Sequence, residues 1–525
     1  MDFKQLNWWR VALVILILLG VYLRLTNLEG KVYWIDEVHT SLRAAGYIEP
    51  HFIQETPLGE VLNLDFLQSY QQLDSETSLW RSVKTIASSE HSPLYYFLTR
   101  LSMDGLGSSI IVTRGLAAVL SLFSLPAIYA LSLELFASTL VAEISLALVA
   151  ISPFHIIYAQ EAREYSLLTV AIILASVSFL WAMRDQNRSS WLTYSGTVAF
   201  GLYVHPLVGL VSLGHGIYAL FSQKWQLNQV VFRYALYALL GLVLFIPWIL
   251  VFIFNEDGMA GWVTKETPFY ILLQRWLINA VGSVYDLQMG YQEQLFDIQA
   301  FQDISLSSHQ LGVYLLGIVL LFIIYSFYVL YRYGTEKQWW FIITLVGATG
   351  LALAVPDLVT GGQRSTIGRY AIACHLGVQL TLAYCLGHHL KSAIPFNSQR
   401  VWRFILTATL TLSLISSIVM HKASTWWNKY SSYYNQEVAD QINQSDRAIV
   451  LSSVPRIIRP TSLSHHLKPE TKFIFFDEEI SIAFPEEATD VYVFRPLANL
   501  LEGLESNNYS VTVLHEKGKL WKVNL

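Results

Sequence analysis

Long apolar runs separated by short polar connections constrain this chain more than any other feature. About 20 consecutive apolar residues, wound as a helix, match the ~30 Å hydrocarbon thickness of a bilayer. Runs near that length occur at Trp8–Leu25, Ile110–Leu133, Ser138–Tyr158, Tyr165–Met183, Trp191–Val204, Leu207–Phe221, Phe232–Phe254, Leu311–Tyr331, Trp339–Val355, Tyr370–His388 and Trp402–Met420, about eleven in all. In lipid every backbone N–H and C=O must be paired within the protein, and helices do this locally. The expected fold is therefore a polytopic α-helical membrane protein. The chain is 54% hydrophobic and 14% charged, with a mean hydropathy of +0.42. That composition excludes an ordinary soluble domain and gives no basis for binding nucleic acid. The first run is long enough to span and lacks a small-residue cleavage pattern after it, so it reads as an anchor rather than a removed signal. Cys374 and Cys385 lie on one apolar run, about 16 Å apart along a helix, too far to bridge.

Charge sidedness sets the expected orientation. Lys4 and Arg10, Arg184 and Arg188, Lys224 and Arg233, Arg332 and Lys337, and Lys391, Arg400 and Arg403 fall on one side. Only Arg163, Arg364 and Arg369 occupy short connections on the other. The positive-inside rule makes the first side, with the amino terminus, cytoplasmic. The membrane domain is expected over residues 1–421, with outer loops at 26–109 and 255–310. Ser92–Leu106 and Phe269–Val281 are amphipathic and read as interfacial helices in those loops. Residues 422–525 then form an extracytoplasmic α/β domain. Its strand-like runs are Ala448–Ser452, Lys472–Phe476, Val491–Phe494, Val511–His515 and Leu520–Val523, and Tyr434–Asn443 and Leu497–Ser506 are helical in pattern. About 95 residues can bury a core of their own. No internal repeat or low-complexity tract is visible.

The polar residues of interest collect at the outer boundary. Asp36 and Glu37 follow the first run in LEGKVYWIDEVH. An acidic pair fits a solvated loop, but Trp34, Ile35 and Val38 around it indicate a segment folded back on the membrane domain. His91 and Ser92 stand before Pro93, where they cap a helix or line an outer cavity. Ser152–Tyr165 (SPFHIIYAQEAREY) packs Gln160, Glu161, Arg163 and Tyr165 into a dense cluster. If a helix resumes near Ala162, Glu161 and Tyr165 share a face at i, i+4. A local salt bridge or interfacial anchoring accounts for the cluster equally simply; recognition of a sugar phosphate is the functional alternative. His205-Pro206 breaks an apolar stretch at an outer turn, where a lone His is more often structural. Gly361–Tyr370 (GGQRSTIGRY) offers Arg364 and Arg369 with flexible backbone N–H groups, a combination suited to phosphate. There is no HExxH, paired CxxC, Walker or Rossmann pattern, so neither a resident metal nor a soluble nucleotide donor is indicated. No cofactor is firmly implied, and a divalent ion beside Asp36 and Glu37 stays open.

In order, these segments resemble the membrane-embedded glycosyltransferases of the GT-C fold, in particular family 39-like proteins related to protein O-mannosyltransferases and the aminoarabinose transferase of lipid A. The resemblance rests on Asp36-Glu37 after the first run, on His91-Ser92-Pro93-Leu94-Tyr95-Tyr96 (similar to HPPLYY), on Ser152–Tyr165 (similar to SPFHxxYSQEARMYSL), and on Gly368-Arg369-Tyr370. It covers roughly residues 8–420; Ser92, Ala159 and Glu164 depart from the family pattern. The resemblance implies inverting transfer of a sugar from a polyprenyl-phosphate donor to a hydroxyl of a glycan, lipid or protein acceptor on the outer face. Asp36 would be the general base, with Glu37 and Glu161 orienting hydroxyls or serving as base instead. Arg163, Arg369 and Arg364 would hold the phosphate, with His91, Gln160, Tyr165 and His205 in support. The simplest location is a bacterial plasma membrane. Two other classes compete. A transporter or flippase would carry ionisable groups at mid-depth and show repeat symmetry, whereas Glu143 is the main charge within the spans. A membrane-anchored binding or assembly protein would work through the C-terminal domain.

Overall fold

The computed structural model describes residues 3–73, 78–89, 91–253, 261–286, 310–391, 396–477 and 490–524. Most of the expected outer loop 255–310 lies outside the described residues. All eleven apolar runs are helical over most of their length. Among the described residues eight helices are long and apolar enough to cross a membrane, nine if one bent pair counts as a single span. The two remaining runs form shorter helices, Arg188–Val204 and Val208–Ser222, of 17 and 15 residues. At 1.5 Å per residue these reach about 26 and 23 Å, short of the ~30 Å of a typical hydrocarbon core.

The bent pair is Thr139–Ala150 and Pro153–Ala159, which meet at 53°. Pro153 has no N–H and cannot continue the ladder through Ile151 and Ser152. The carbonyls left free at the break are met by other spans. Arg24 donates to Val149 O at 2.8 Å and to Ala150 O, and Ser413 and Ser417 both donate to Ile151 O. Broken backbone at membrane depth requires such partners. The chain leaves the break into a turn that carries Gln160 to Glu164.

The outer loop 26–109 is helical at Ile35–Ala44, Glu49–Glu55, Leu64–Ser69, Leu79–Ala87 and Leu94–Leu106. Helix Leu94–Leu106 buries Tyr95, Tyr96, Thr99, Arg100 and Met103. Helix Phe269–Val281 has the bounds the sequence indicates. The chain's one sheet among the described residues has strands β1 (Leu62–Asn63), β2 (Ala448–Ser453), β3 (Lys472–Phe476), β4 (Asp490–Phe494), β5 (Ser510–His515) and β6 (Leu520–Asn524), in the order β1-β3-β2-β4-β6-β5. The β2–β3 and β2–β4 pairs are parallel; the other pairs are antiparallel.

The segment from Lys422 does not close its core alone. Alternate residues of a strand face opposite sides of a sheet. Ile449, Leu451, Val491 and Val493 pack on Leu500 and Leu504 of helix Ala498–Ser506. The other face, with Val450, Phe473, Phe475 and Tyr492, packs on Tyr33, Val38, Phe52 and Leu67 of the outer loop. Strand β1 comes from that same loop, and Ser462 Oγ donates to Tyr33 O at 2.6 Å. The two halves of the outer region, more than three hundred residues apart in sequence, therefore share one core.

Candidate active site

A cavity of about 460 Å³ opens where the outer loop, the break after the third apolar run and the start of helix Ile372–His389 converge. Its lining includes Asp36, His39, Arg43, His91, Ser92, Arg163, Tyr165, His205, Arg364, Arg369 and Tyr370. Asp36 is the second residue of helix Ile35–Ala44, two residues after an extended N-cap at Trp34. A carboxylate in the first helical turn is favoured by the exposed N–H groups there. The Asp36 side chain keeps 21% exposure, and Arg369 Nη1 lies 3.3 Å from its Oδ2.

Neighbouring side chains on a helix diverge by about 100°, and Glu37 consequently faces away from the cavity. Its carboxylate is fully buried, 2.7 Å from Arg114 Nε and from Arg114 Nη2, and accepts from Ala162 N at 2.9 Å. It also receives the Trp34 N–H at 3.3 Å. Lys429 Nζ bridges Glu37 Oε2 at 3.3 Å and Glu161 Oε1 at 3.0 Å, with Lys429 itself fully buried. Asn428 also donates to Glu161 Oε1. Burial alone would raise the Glu37 carboxyl, but Arg114 and Lys429 hold it down to about 2. For Glu161 burial dominates; with Glu37 close by, its carboxyl is raised although Lys429 opposes the shift. The structure thus places Glu37 and Glu161 behind the cavity wall rather than on its lining. Helix Tyr165–Asp185 begins four residues after Glu161, with Glu164 as its N-cap. The i, i+4 pairing of Glu161 with Tyr165 does not form for that reason.

Arg369 is buried in a cage of rings. Its Cζ lies 5.3 Å from the Trp34 and Tyr165 centroids, 5.4 Å from Tyr430 and 5.8 Å from Tyr370. Such faces hold a guanidinium by about 0.5–2 kcal/mol each without consuming its N–H donors. The segment before it is fixed from two sides. Gly361, at φ 77°, ends helix Glu336–Thr360, and Gly362 has φ 134°. A Cβ on Gly362 would sit 2.6 Å from Asp357 Oδ1. Asp357 accepts from Arg364 Nη1 at 3.1 Å and from both Ser365 N and Ser365 Oγ at 2.7 Å. From helix Phe269–Val281, Arg275, Trp276 and Asn279 donate to Gln363 Oε1, Ser365 Oγ and Thr366 O.

Arg163 reaches the cavity from the turn, ion-paired to Glu164 at 3.1 Å and donating to Tyr96 OH at 3.1 Å. His91 stacks on Tyr96, and His205 lies 6.1 Å from the Tyr165 ring. Burial, with cationic neighbours, keeps all three cavity histidines neutral: His39 falls to about 3, His205 to about 4, and His91 well below its usual range. Gln160 does not line the cavity. It donates to Leu23 O and Thr26 O and accepts from Lys31 Nζ at 2.9 Å, tying the turn to the end of the first span. Of the sequence candidates, Asp36, His91, Arg163, Tyr165, His205, Arg364 and Arg369 are brought together. His39 and Arg43 were missed, although Asp36, His39 and Arg43 follow the i, i+3, i+7 spacing of one helical face. Lys429, Arg114 and Asp357 carry no local signal, because their importance comes from partners distant in sequence. The lining presents four guanidinium groups and a single carboxylate. No group of three or more His, Cys, Asp or Glu among the described residues is arranged to hold a metal ion.

Residues 90–251 match the family model for dolichyl-phosphate-mannose-protein mannosyltransferase, a stretch that holds His91, Glu161, Arg163, Tyr165 and His205. The fold is similar to that of ArnT from Cupriavidus metallidurans, solved bound to undecaprenyl phosphate. That likeness has a TM-score of 0.52 at 11% identity and covers 98% of each chain. The chain therefore has the fold of this membrane protein, and the family match spans under a third of its length. A weaker likeness, with a TM-score of 0.48 and 12% identity over 90% of this chain and 65% of that one, is to the oligosaccharyltransferase of Archaeoglobus fulgidus. No curated protein matches this chain by sequence.

Proposed function

We propose that this enzyme transfers a sugar from a polyprenyl phosphate to an acceptor hydroxyl, with inversion, on the extracytoplasmic face of a bacterial plasma membrane. The observation that carries the reading is the cavity lining itself: four arginines surround Asp36 where apolar helices end. A polyprenyl phosphate keeps its tail in lipid, so its head group must be met at such a boundary. Arginine binds phosphate through two parallel N–H donors. Arg369, held by rings, has donors to give, and Arg163, Arg364 and Arg43 add positive charge around it. Donor binding would draw Arg369 from Asp36 toward the phosphate.

Asp36 then takes the proton of the acceptor hydroxyl as that oxygen attacks the anomeric carbon. The bond from that carbon to the phosphate oxygen breaks, and the polyprenyl phosphate departs with the electron pair. The arginines stabilise the negative charge on the leaving group. One in-line displacement inverts the anomeric centre. In this reading Glu37 and Glu161 act indirectly. Through Arg114 and Lys429 they fix the start of helix Ile35–Ala44 and the turn that presents Arg163. The neutral histidines serve as hydrogen-bond partners for sugar hydroxyls. A glycan, lipid or protein acceptor would enter beneath the shared outer core.

The test uses the purified protein with a panel of polyprenyl-phosphate sugars, following product formation and its anomeric configuration by NMR. Transfer with inversion supports the proposal. Retention of configuration contradicts a single displacement, and translocation of the lipid without transfer would favour a flippase.

A further inference from the structure

The segment Trp427–Ser432 follows the last membrane helix and contains a non-glycine residue with a positive φ beside the site: Tyr430, at φ 43° and ψ −118°. Glycine adopts such a conformation without strain, whereas a residue with a Cβ does so only when its surroundings impose it. Positions of this kind favour glycine unless the side chain is itself required. The neighbours explain the demand. Asn428 and Lys429 turn toward the buried carboxylates of Glu161 and Glu37. One residue later the ring of Tyr430 stands 5.4 Å from Arg369 Cζ and 5.4 Å from the Trp34 ring. In this conformation consecutive side chains meet the buried carboxylates and the guanidinium.

Arg369 depends on rings for its placement. Its Nε is buried and has no hydrogen-bond partner among the described residues. The other rings come from the outer loop (Trp34) and the membrane domain (Tyr165 and Tyr370), and Tyr430 is the face supplied by the C-terminal segment. The rest of that segment is anchored firmly. Trp426 and Trp427 both donate to Asp286 Oδ2, at 3.0 and 2.8 Å.

We infer that Tyr430 is a positioning residue for the donor site: its ring holds the Arg369 guanidinium in a phosphate-binding orientation, and the backbone is strained to keep that ring there. The inference rests on the donor reading above and extends it to the segment between the last span and the sheet. It also gives the C-terminal region a part in the reaction.

The experiment compares Tyr430→Phe, Tyr430→Ala and Tyr430→Gly in the full-length protein. Binding of undecaprenyl phosphate is measured in detergent, alongside thermal unfolding and donor kinetics. Phenylalanine keeps the ring and should bind within about twofold of wild type. Alanine and glycine both lose it, and each should bind about five- to twentyfold more weakly, the worth of one desolvated cation–π face. Their KM for the lipid donor should rise more than kcat falls. Glycine also relieves the strain, so Tyr430→Gly should unfold at a higher temperature than Tyr430→Ala while binding no better. If binding instead recovers in Tyr430→Gly in step with stability, Tyr430 is merely structural and the inference fails. A wild-type protein that does not bind undecaprenyl phosphate would remove the donor reading itself.

Discussion

Lys429→Met tests the buried network that supports the site. The ammonium lies 3.3 Å from Glu37 Oε2 and 3.0 Å from Glu161 Oε1, and all three side chains are buried. At an effective dielectric of ~20 each contact corresponds to about 5 kcal/mol of attraction, from which the cost of desolvating the lysine must be subtracted. Removing one partner of a buried ion pair typically costs about 3–5 kcal/mol. The two carboxylates do not share that loss equally. Glu37 keeps both Arg114 contacts and the Ala162 N–H, whereas Glu161 loses its cation and retains Asn428. Lys429→Met should therefore lower stability by about 3–5 kcal/mol, mostly through Glu161. Adding Glu161→Gln removes the orphaned charge and should restore about 2 kcal/mol. The assay is unfolding in mixed micelles titrated with SDS, followed by tryptophan fluorescence, for the wild type, both single variants and the double variant. The single-variant penalty should also shrink at lower pH, because the Glu161 carboxyl is already raised by burial and takes up a proton readily. A double variant no more stable than Lys429→Met would refute the argument that Glu161 is held there as a charge.

Two further outcomes follow from the same geometry. Arg369→Ala should raise the KM for the lipid donor by about tenfold to a hundredfold, the worth of charge-assisted hydrogen bonds to phosphate, and leave the acceptor KM nearly unchanged; an unaltered donor dependence would take Arg369 out of the site. Acid should destabilise the outer region in two stages. His39, His91 and His205 have depressed values, so their contribution is complete above about 6.5 and is lost as the pH falls toward 4 and 3. Glu37, lowered to about 2, contributes fully above about 4.5 and loses its share below that. Unfolding midpoints of the wild type and Glu37→Gln between pH 8 and 3 check both signs: the variant should lack the second stage only.

The membrane architecture was legible because its driving pattern is local. Apolar length is a property of contiguous residues, and the strands of the C-terminal segment were readable from β-branched and aromatic runs to within a residue. The exceptions have local physical causes too. Pro153 bends one apolar run, and two runs make helices of only 17 and 15 residues. What the sequence concealed is who meets whom. Asp36 and Glu37 look equivalent as neighbours, yet helical geometry sends one into the cavity and the other against Arg114. The last fifth of the chain looked like an appended domain, yet one face of its sheet is covered by the outer loop, and Lys429 and Tyr430 reach the groups that frame the cavity. No composition or spacing rule reports a contact between residues four hundred positions apart.

Asp36 is the proposed base, facing both acceptor and donor. The direct measurement is turnover of a radiolabelled polyprenyl-phosphate sugar by purified Asp36→Asn, which keeps the size of the side chain and loses its charge. Loss of general base catalysis lowers rates by about 10²–10⁴, so the variant should insert and fold normally, bind undecaprenyl phosphate, and show transfer reduced by at least two orders of magnitude. Turnover near the wild-type rate would contradict the assignment.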